Sequence, residues 1–377
     1  MSTPGSPRRI PAASARRQRG MALLVAILVV ALGTMIAASV AYENAMTARR
    51  GTATYAFDQA ILITQGAEAI AAYGLRQTVQ SDSKQLYIGQ GWDKQYGPLE
   101  VVPGVMLEAN LEDLQGRFNL NNLVRQDGTP DPVMTNAFTQ LMALVGLEEK
   151  WTGYIVDWID MDGTPSIPEG AEDSVYMGQT VPYRTANRYI TSATELLALP
   201  GFGRDRYLKL APFVVALPYG TTINVCTTSG EVLDAFAGPG HQEWNDATLA
   251  KNRQSAGACF PKLTDYQASV DPKVWSGQAA QNPNGVQANQ GLGSNTGTAN
   301  QGLNQPTGNP AAQGSQGVAP KFAQISNYFR LTSIVSIGST EFNLYSLLYL
   351  DGTRMPRPIQ RSFSRDEEPP LWLWQGQ

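Results

Sequence analysis

The chain has one histidine and two cysteines in 377 residues. That inventory excludes His-Glu-x-x-His zinc sites, Cys-x-x-Cys pairs and His-ligated copper. Charge is scarce as well: 16% of residues are Asp, Glu, Lys or Arg, and the formal net charge is -4. A general nucleic-acid binder needs a basic surface, which this balance does not supply. Proline is missing from residues 12–97, although the whole chain has 24. Apolar residues, at 42%, are plentiful enough to build a core, so global disorder is excluded. The length leaves room for two modest domains. This composition leans away from an enzyme.

What is present begins at the N-terminus. Residues 1–20 carry Arg8, Arg9, Arg16, Arg17 and Arg19 and no acidic residue, and residues 21–42 then run without a charge. At about 1.5 Å per residue that run crosses a hydrocarbon core of roughly 30 Å. The positive-inside bias would hold the leader in the cytoplasm and export the rest. A secretory peptide has a shorter apolar region, with small-residue cleavage after it. Here the candidate junction, Arg19-Gly20-Met21, lies before it. A simple one-span signal anchor fits the span on its own equally well.

Past the span, Ala56, Ala60, Ile63, Ala67, Ile70 and Gly74 recur at alternating steps of four and three. They form one helix face, small enough for another surface to approach closely. The pattern predicts a single helix from residue 21 to about 80, roughly 90 Å long. The alternative is a membrane anchor followed by an unrelated core helix.

The junction resembles the signal of type IV pilin-like proteins: a basic leader, Gly20, a hydrophobic Met21 and an uninterrupted apolar helix. The resemblance implies cleavage after Gly20 by prepilin peptidase and methylation of Met21. The fifth mature residue is Val25, where most pilins and pseudopilins carry Glu. Lack of that Glu is known for the minor pseudopilin K family of type II secretion systems. Further motifs follow in that family's order: 112–123 (EDLQGRFNLNNL), 157–162 (DWIDMD), 170–173 (GAED) with Tyr176, 182–187 (PYRTAN), 194–197 (TELL), Leu217-Pro218 and 223–225 (INV). Together with the leader they cover roughly residues 16–235. The chain departs from the family at Cys226, where a second Asn is usual.

Membership would imply an α+β, pilin-like fold: a long N-terminal helix packed on an antiparallel sheet, with an inserted all-α domain. The expected division is a leader at 1–20, the transmembrane half of the helix at 21–42, and the rest of the helix with the first strands at 43–112. An inserted helical domain follows at 113–217. The chain returns to the head, with a cysteine loop, at 218–275. A linker at 276–316, final strands at 317–363 and a tail at 364–377 complete it.

Residues 157–173 hold Asp157, Asp160, Asp162, Glu169, Glu172 and Asp173, and neither Lys nor Arg. So many anions repel one another unless a cation offsets them. Gly163, Pro165, Pro168 and Gly170 make the segment a loop with free carbonyls. Hard oxygen donors without His or Cys suit Ca²⁺. The loop is not an EF-hand, because Gly163 comes too early and the twelfth position is Ala171. A solvated acidic loop is the alternative; calcium sites known for the resembled family favour the metal. The candidate ligands are Asp160, Asp162, Glu172 and Asp173, with Asp157 a fifth that could instead face the preceding helix.

Ser192 and Glu195 form a capping-box pattern, followed by Pro200-Gly201-Phe202-Gly203 and a second helix near residues 205–210. This resembles a helix-hairpin-helix, whose turn can hold a DNA phosphate. Without the five leader Arg the formal charge falls from -4 to -9, which opposes phosphate binding. Packing within a small helical subdomain that includes residues 131–158 is the expected role, and no nucleic-acid partner is expected.

In an oxidising periplasm Cys226 and Cys259 read as a disulfide, worth roughly 3–4 kcal/mol by loop closure; two free thiols are the alternative. His241 lies in a Gly-Pro-Gly-His turn, with no nucleophile-elbow pattern beside it. Residues 276–316 carry no charge and are mostly Gly, Asn and Gln, the composition of a flexible linker or long loop. Strands are expected at 328–337, 341–350 and 353–363, with Asp351-Gly352 a hairpin turn and Pro356 and Pro358 marking the last as an edge. The Leu371-Trp372-Leu373-Trp374 cluster reads either as a contact site or as a sticky tail.

The resemblance implies a non-enzymatic minor pseudopilin at the pseudopilus tip, single-pass in the inner membrane of a Gram-negative bacterium. Its periplasmic domain would help initiate pseudopilus assembly and the export of folded proteins across the outer membrane. Implied partners are minor pseudopilins I and J and prepilin peptidase, with H and the major pseudopilin G as further candidates. A minor pilin of a type IV pilus, or a membrane-anchored exoplasmic binding module, are the rival readings.

Overall fold

The computed structural model describes residues 15–237, 244, 246–270 and 321–363. Leader residues 1–14, His241, the 276–316 segment and the 364–377 tail with its Leu-Trp cluster lie outside the described residues. With no proline to break it, the N-terminal stretch forms one helix, α1 (Ala15–Ser81). Residues up to Leu62 and residues from Ile63 onward form two separate units. In the first unit, residues 21–42 of α1 are exposed along their whole length. Among the described residues this is the one helix long and apolar enough to cross a membrane.

In the second unit, the last turns of α1 bury Ala67 and Leu75, flanked by Ala71 and Val79, against Leu111, Phe329, Leu331 and Leu348 of a sheet. The expected face is only partly the buried one, since Ile70 is 74% exposed and Gly74 is also exposed. At 100° per residue the packed face lies about a quarter turn round the helix. Glu68 sits within it, buried and paired with Arg361. A pattern of small and apolar residues cannot register a carboxylate that has a buried partner.

After α1 come β1 (Tyr96–Val102), β2 (Val105–Asp113), β3 (Phe118–Asn119), α2 (Pro132–Leu144), α3 (Trp151–Ile159), α4 (Asp173–Met177), α5 (Gly203–Leu210) and β4 (Val214–Val215). Then follow β5 (Ile223–Asn224), α6 (Gly230–Ala235), α7 (Asp246–Ala256), α8 (Leu263–Ser269), β6 (Phe322–Ala323), β7 (Tyr328–Ile337), β8 (Thr340–Tyr349) and β9 (Arg357–Ser362). Five strands form one sheet in the order β1-β2-β7-β8-β9, and every pairing is antiparallel. The architecture is therefore α+β. The edge strand β9 starts later than expected, because Arg354 N–H donates to the Asp351 carbonyl (3.1 Å) and prolongs the turn.

β2 and β7 are neighbours from Val105↔Ile337 to Asp113↔Phe329, yet residues 114–327 lie between them in the chain. The described part of that insertion has its own core, which runs from Phe118 through Leu233 and Tyr266 to Phe322. The described residues of the 218–275 segment, expected back in the head, thus share the core of the inserted domain. Aromatic contacts show the reason: Phe236 stacks on Phe118 (5.8 Å) and meets Phe322 edge-on (4.8 Å). Cys226 and Cys259 are disulfide-bonded in this segment, with Cα atoms 4.8 Å apart.

The 112–123 motif joins the sheet to the insertion. Asn121 Nδ2 donates to the carbonyls of Ile190 and Leu217 (both 2.9 Å), and Asn119 Oδ1 accepts from Leu217 N–H (2.9 Å). These buried amides satisfy backbone groups that no ladder reaches. In the Gly-rich turn before α5, Phe202 packs inward, edge-on to Trp151 at 5.2 Å, and its N–H donates to the Leu199 carbonyl (3.1 Å), while Gly201 and Gly203 are exposed. The segment before it, Ala193–Ala198, is a 3₁₀ turn. There Ser192 is the N-cap residue as expected, accepting from Thr194 N–H (3.3 Å), while Glu195 Oε1 accepts from Thr191 N–H (2.7 Å), one residue before the expected donor.

Candidate metal centre

Helix α3 enters the insertion core through Trp151, Ile155, Trp158 and Ile159. Its amphipathic spacing also turns Asp157 inward, with no exposure. Asp157 is not among orphans: Oδ1 and Oδ2 both accept from Ser166 N–H (3.1 Å each), and Oδ2 accepts from Ala171 N–H (2.7 Å). The loop is drawn against the helix as a result. A Cβ on Gly170 would collide with Asp157 Oδ2 and Ser166 N, and one on Gly153 with the Glu169 carbonyl. Both positions must be glycine for the loop to sit this close.

Asp160 ends α3 in extended conformation, and Glu172 is the N-cap residue of α4. The loop between them returns so that carboxylate oxygens of Asp160, Asp162 and Glu172 lie within 4.8 Å of one another. Asp160 and Glu172 are buried and Asp162 is exposed. Asp160 Oδ1 and Glu172 Oε1 have no hydrogen-bond partner. Burial, then the charges of Asp162, Asp157 and Glu172, pushes the Asp160 carboxyl up to about 7. Burial, followed by Asp157, Asp162 and Asp173, takes Glu172 up to about 7 as well.

The five candidate ligands therefore separate. Three converge. Asp157 faces the loop backbone, and Asp173 turns away, accepting from Thr185 N–H (3.1 Å) and meeting Arg184 at 3.3 Å. Glu169 is exposed. Sequence reasoning missed Gly153, whose only signal was a glycine inside an otherwise helical run. Gly20 and Met21 lie within α1, and Met21 is 68% exposed.

Asp160 Oδ1 and Glu172 Oε1, buried without a partner beside Asp162, are oxygen donors of the kind a hard divalent ion takes. Oxygen-only ligation fits Ca²⁺.

A family profile described as type II secretion system (T2SS), protein K, matches residues 116–219. Type II secretion system protein K of Pseudomonas aeruginosa is 33% identical over 231 residues, covering 59% of this chain and 68% of that protein. Its counterpart in Aeromonas hydrophila is 36% identical over 217 residues, covering 54% and 65%. Among solved structures, a chain of the GspK-GspI-GspJ complex of enterotoxigenic Escherichia coli aligns with TM-score 0.60 and 19% identity. That alignment covers 84% of this chain and all of the other. The chain belongs to the type II secretion system protein K family.

Proposed function

We propose that this chain is a non-enzymatic minor pseudopilin at the tip of the type II secretion pseudopilus. Residues 21–42 anchor it once in the inner membrane, with the domain that follows them periplasmic. There it joins minor pseudopilins I and J, helps initiate assembly and so supports export of folded proteins. Minor pseudopilin H and the major pseudopilin G are further partners in this reading. The solved complex of a protein K with GspI and GspJ supports the choice of partners.

The insertion carries the tip assignment. Residues 114–327 lie between two adjacent strands of the sheet, more than half of the chain. Such a domain is hard to fit between stacked subunits, whereas a tip has nothing above it. Val25 agrees, because a first subunit has no predecessor whose N-terminal amine needs a carboxylate partner. Inside a bilayer an unpaired carboxylate costs several kcal/mol.

The same reading assigns a structural Ca²⁺ to Asp160, Asp162 and Glu172. Loop carbonyls or water would complete the six to eight oxygens the ion takes. Bound Ca²⁺ would neutralise the mutual repulsion of the three acids.

The test is the intact mass of the protein from membranes with and without active prepilin peptidase. Loss of residues 1–20 with one added methyl on Met21 supports the pseudopilin reading. An intact leader in the presence of the peptidase overturns it.

A further inference from the structure

We infer that Asp157 is the positioning residue of the acidic centre: it clamps the loop backbone so that Glu172 is carried back onto Asp160 and Asp162, and it gives no oxygen to the ion. The inference rests on the Ca²⁺ reading above.

The geometry separates Asp157 from the three converging acids. Both of its oxygens already accept backbone N–H groups, from Ser166 at 3.1 Å and Ala171 at 2.7 Å. By contrast Asp160 Oδ1 and Glu172 Oε1, equally inaccessible to water, have no partner. The bond to Ala171 acts one residue before Glu172. Ala171 is fully buried, so this bond fixes where the returning strand of the loop enters the core. The bond to Ser166 pins the middle of the same loop. Gly170, between the two anchors, admits the carboxylate only because it lacks a Cβ.

With both oxygens already holding backbone donors, Asp157 has less to gain from a cation than the unpartnered oxygens of Asp160 and Glu172. Turning its carboxylate toward a cation would give up the bonds to Ser166 and Ala171 that hold the loop. Groups that orient ligands in this way typically change metal affinity ten- to a hundredfold when removed. Asn at 157 keeps one acceptor oxygen, but its amide turns a donor toward the backbone N–H groups. The clamp is thus broken with almost no change in volume.

The experiment uses the full chain in detergent, with Ca²⁺ affinity from calorimetry and the hydration of bound Tb³⁺ from its luminescence lifetimes in H₂O and D₂O. Asp157→Asn is expected to weaken Ca²⁺ binding ten- to a hundredfold, leave Tb³⁺ hydration at the wild-type value, and expose the Ser166 and Ala171 amides to faster exchange before metal is added. Gly170→Ala, which keeps every carboxylate, is expected to give the same three changes and serves if Asp157→Asn does not fold. A gain of one water on Tb³⁺ in Asp157→Asn would make Asp157 a ligand and overturn the inference. Unchanged affinity in both variants would overturn it too. If the wild-type protein binds neither ion, the Ca²⁺ reading itself fails and this role falls with it.

Discussion

Arg361 on the edge strand β9 holds Glu68 on α1 through two hydrogen bonds, Nε to Oε1 at 2.8 Å and Nη2 to Oε2 at 2.7 Å. Ser346 on β8 donates to the same carboxylate. Glu68 is buried while Arg361 is partly open, so the pair fastens helix to sheet at the margin of the core. Removing the arginine leaves a buried charge with one hydroxyl partner. Arg361→Ala should therefore cost roughly 2–3 kcal/mol, discounted from the value for a fully buried pair. Glu68→Gln combined with Arg361→Met should cost less than the single change. Denaturant titration of the three proteins checks both the size and the order.

The disulfide offers a second measurement. Cys226 and Cys259 are both buried, and 33 positions separate them in the chain. Constraining an unfolded loop of that size is worth roughly 3–4 kcal/mol. Replacing both by Ser should lower the denaturation midpoint accordingly, with a further cost for the buried hydroxyls. Dithiothreitol should destabilise the wild type and leave the double variant unchanged.

The parts of the fold that were legible in the sequence are those with local causes. The strand at 328–337 alternates and ends at a glycine turn, and it matches β7 to the residue. Asp160, Asp162 and Glu172 stood out through the absence of any nearby cation. Asp173 looked identical to them, and Asp157 differed only in that it could face the preceding helix, because a sequence cannot show which carboxylates meet backbone N–H groups. What separates them is Ser166 and Ala171 in one case and Thr185 in the other. The allegiance of residues 223–270 was hidden for a related reason. Their aromatic partners, Phe118 and Phe322, lie about a hundred residues before and some fifty after them. Glu68 was illegible because its partner, Arg361, lies almost three hundred residues away in β9, the last described strand.

Asp113 should make stability depend on pH. Its Oδ2 accepts from Ser326 (2.6 Å), Thr227 (2.6 Å) and Asn224 (3.1 Å). Burial outweighs these bonds and pushes the carboxyl up from 3.8 to about 6. A raised acid binds its proton more tightly in the native state, so its contribution is full below about pH 4. That contribution is lost as pH rises to about 6, by roughly 3 kcal/mol at 1.36 kcal/mol per unit. Asp113→Asn, whose amide can donate to the hydroxyls, should flatten the slope between pH 4 and 6. Denaturant midpoints of the two proteins across that range give the comparison. An unchanged slope would mean that the hydrogen bonds, not burial, govern this group.

The acidic centre should respond to one substitution with opposite signs in the two metal states. Without metal, Asp160 is a buried carboxylate with an unpartnered oxygen, facing Asp162 and Glu172. Asp160→Asn removes one of three like charges, so the metal-free protein should become more stable at pH 8, by roughly 1–3 kcal/mol after allowance for solvent screening. With Ca²⁺ at a thousand times its dissociation constant, the wild type should gain about 4.1 kcal/mol by linkage, more than the variant's metal-free advantage. The variant should gain almost nothing, having lost a charged ligand. EDTA should therefore lower the wild-type melting temperature and leave that of Asp160→Asn in place. The two melting curves should change order between EDTA and Ca²⁺. A loop that is merely acidic would show the first effect without the second, since relief of repulsion needs no ion, while a gain on adding Ca²⁺ that one substitution abolishes needs a bound one.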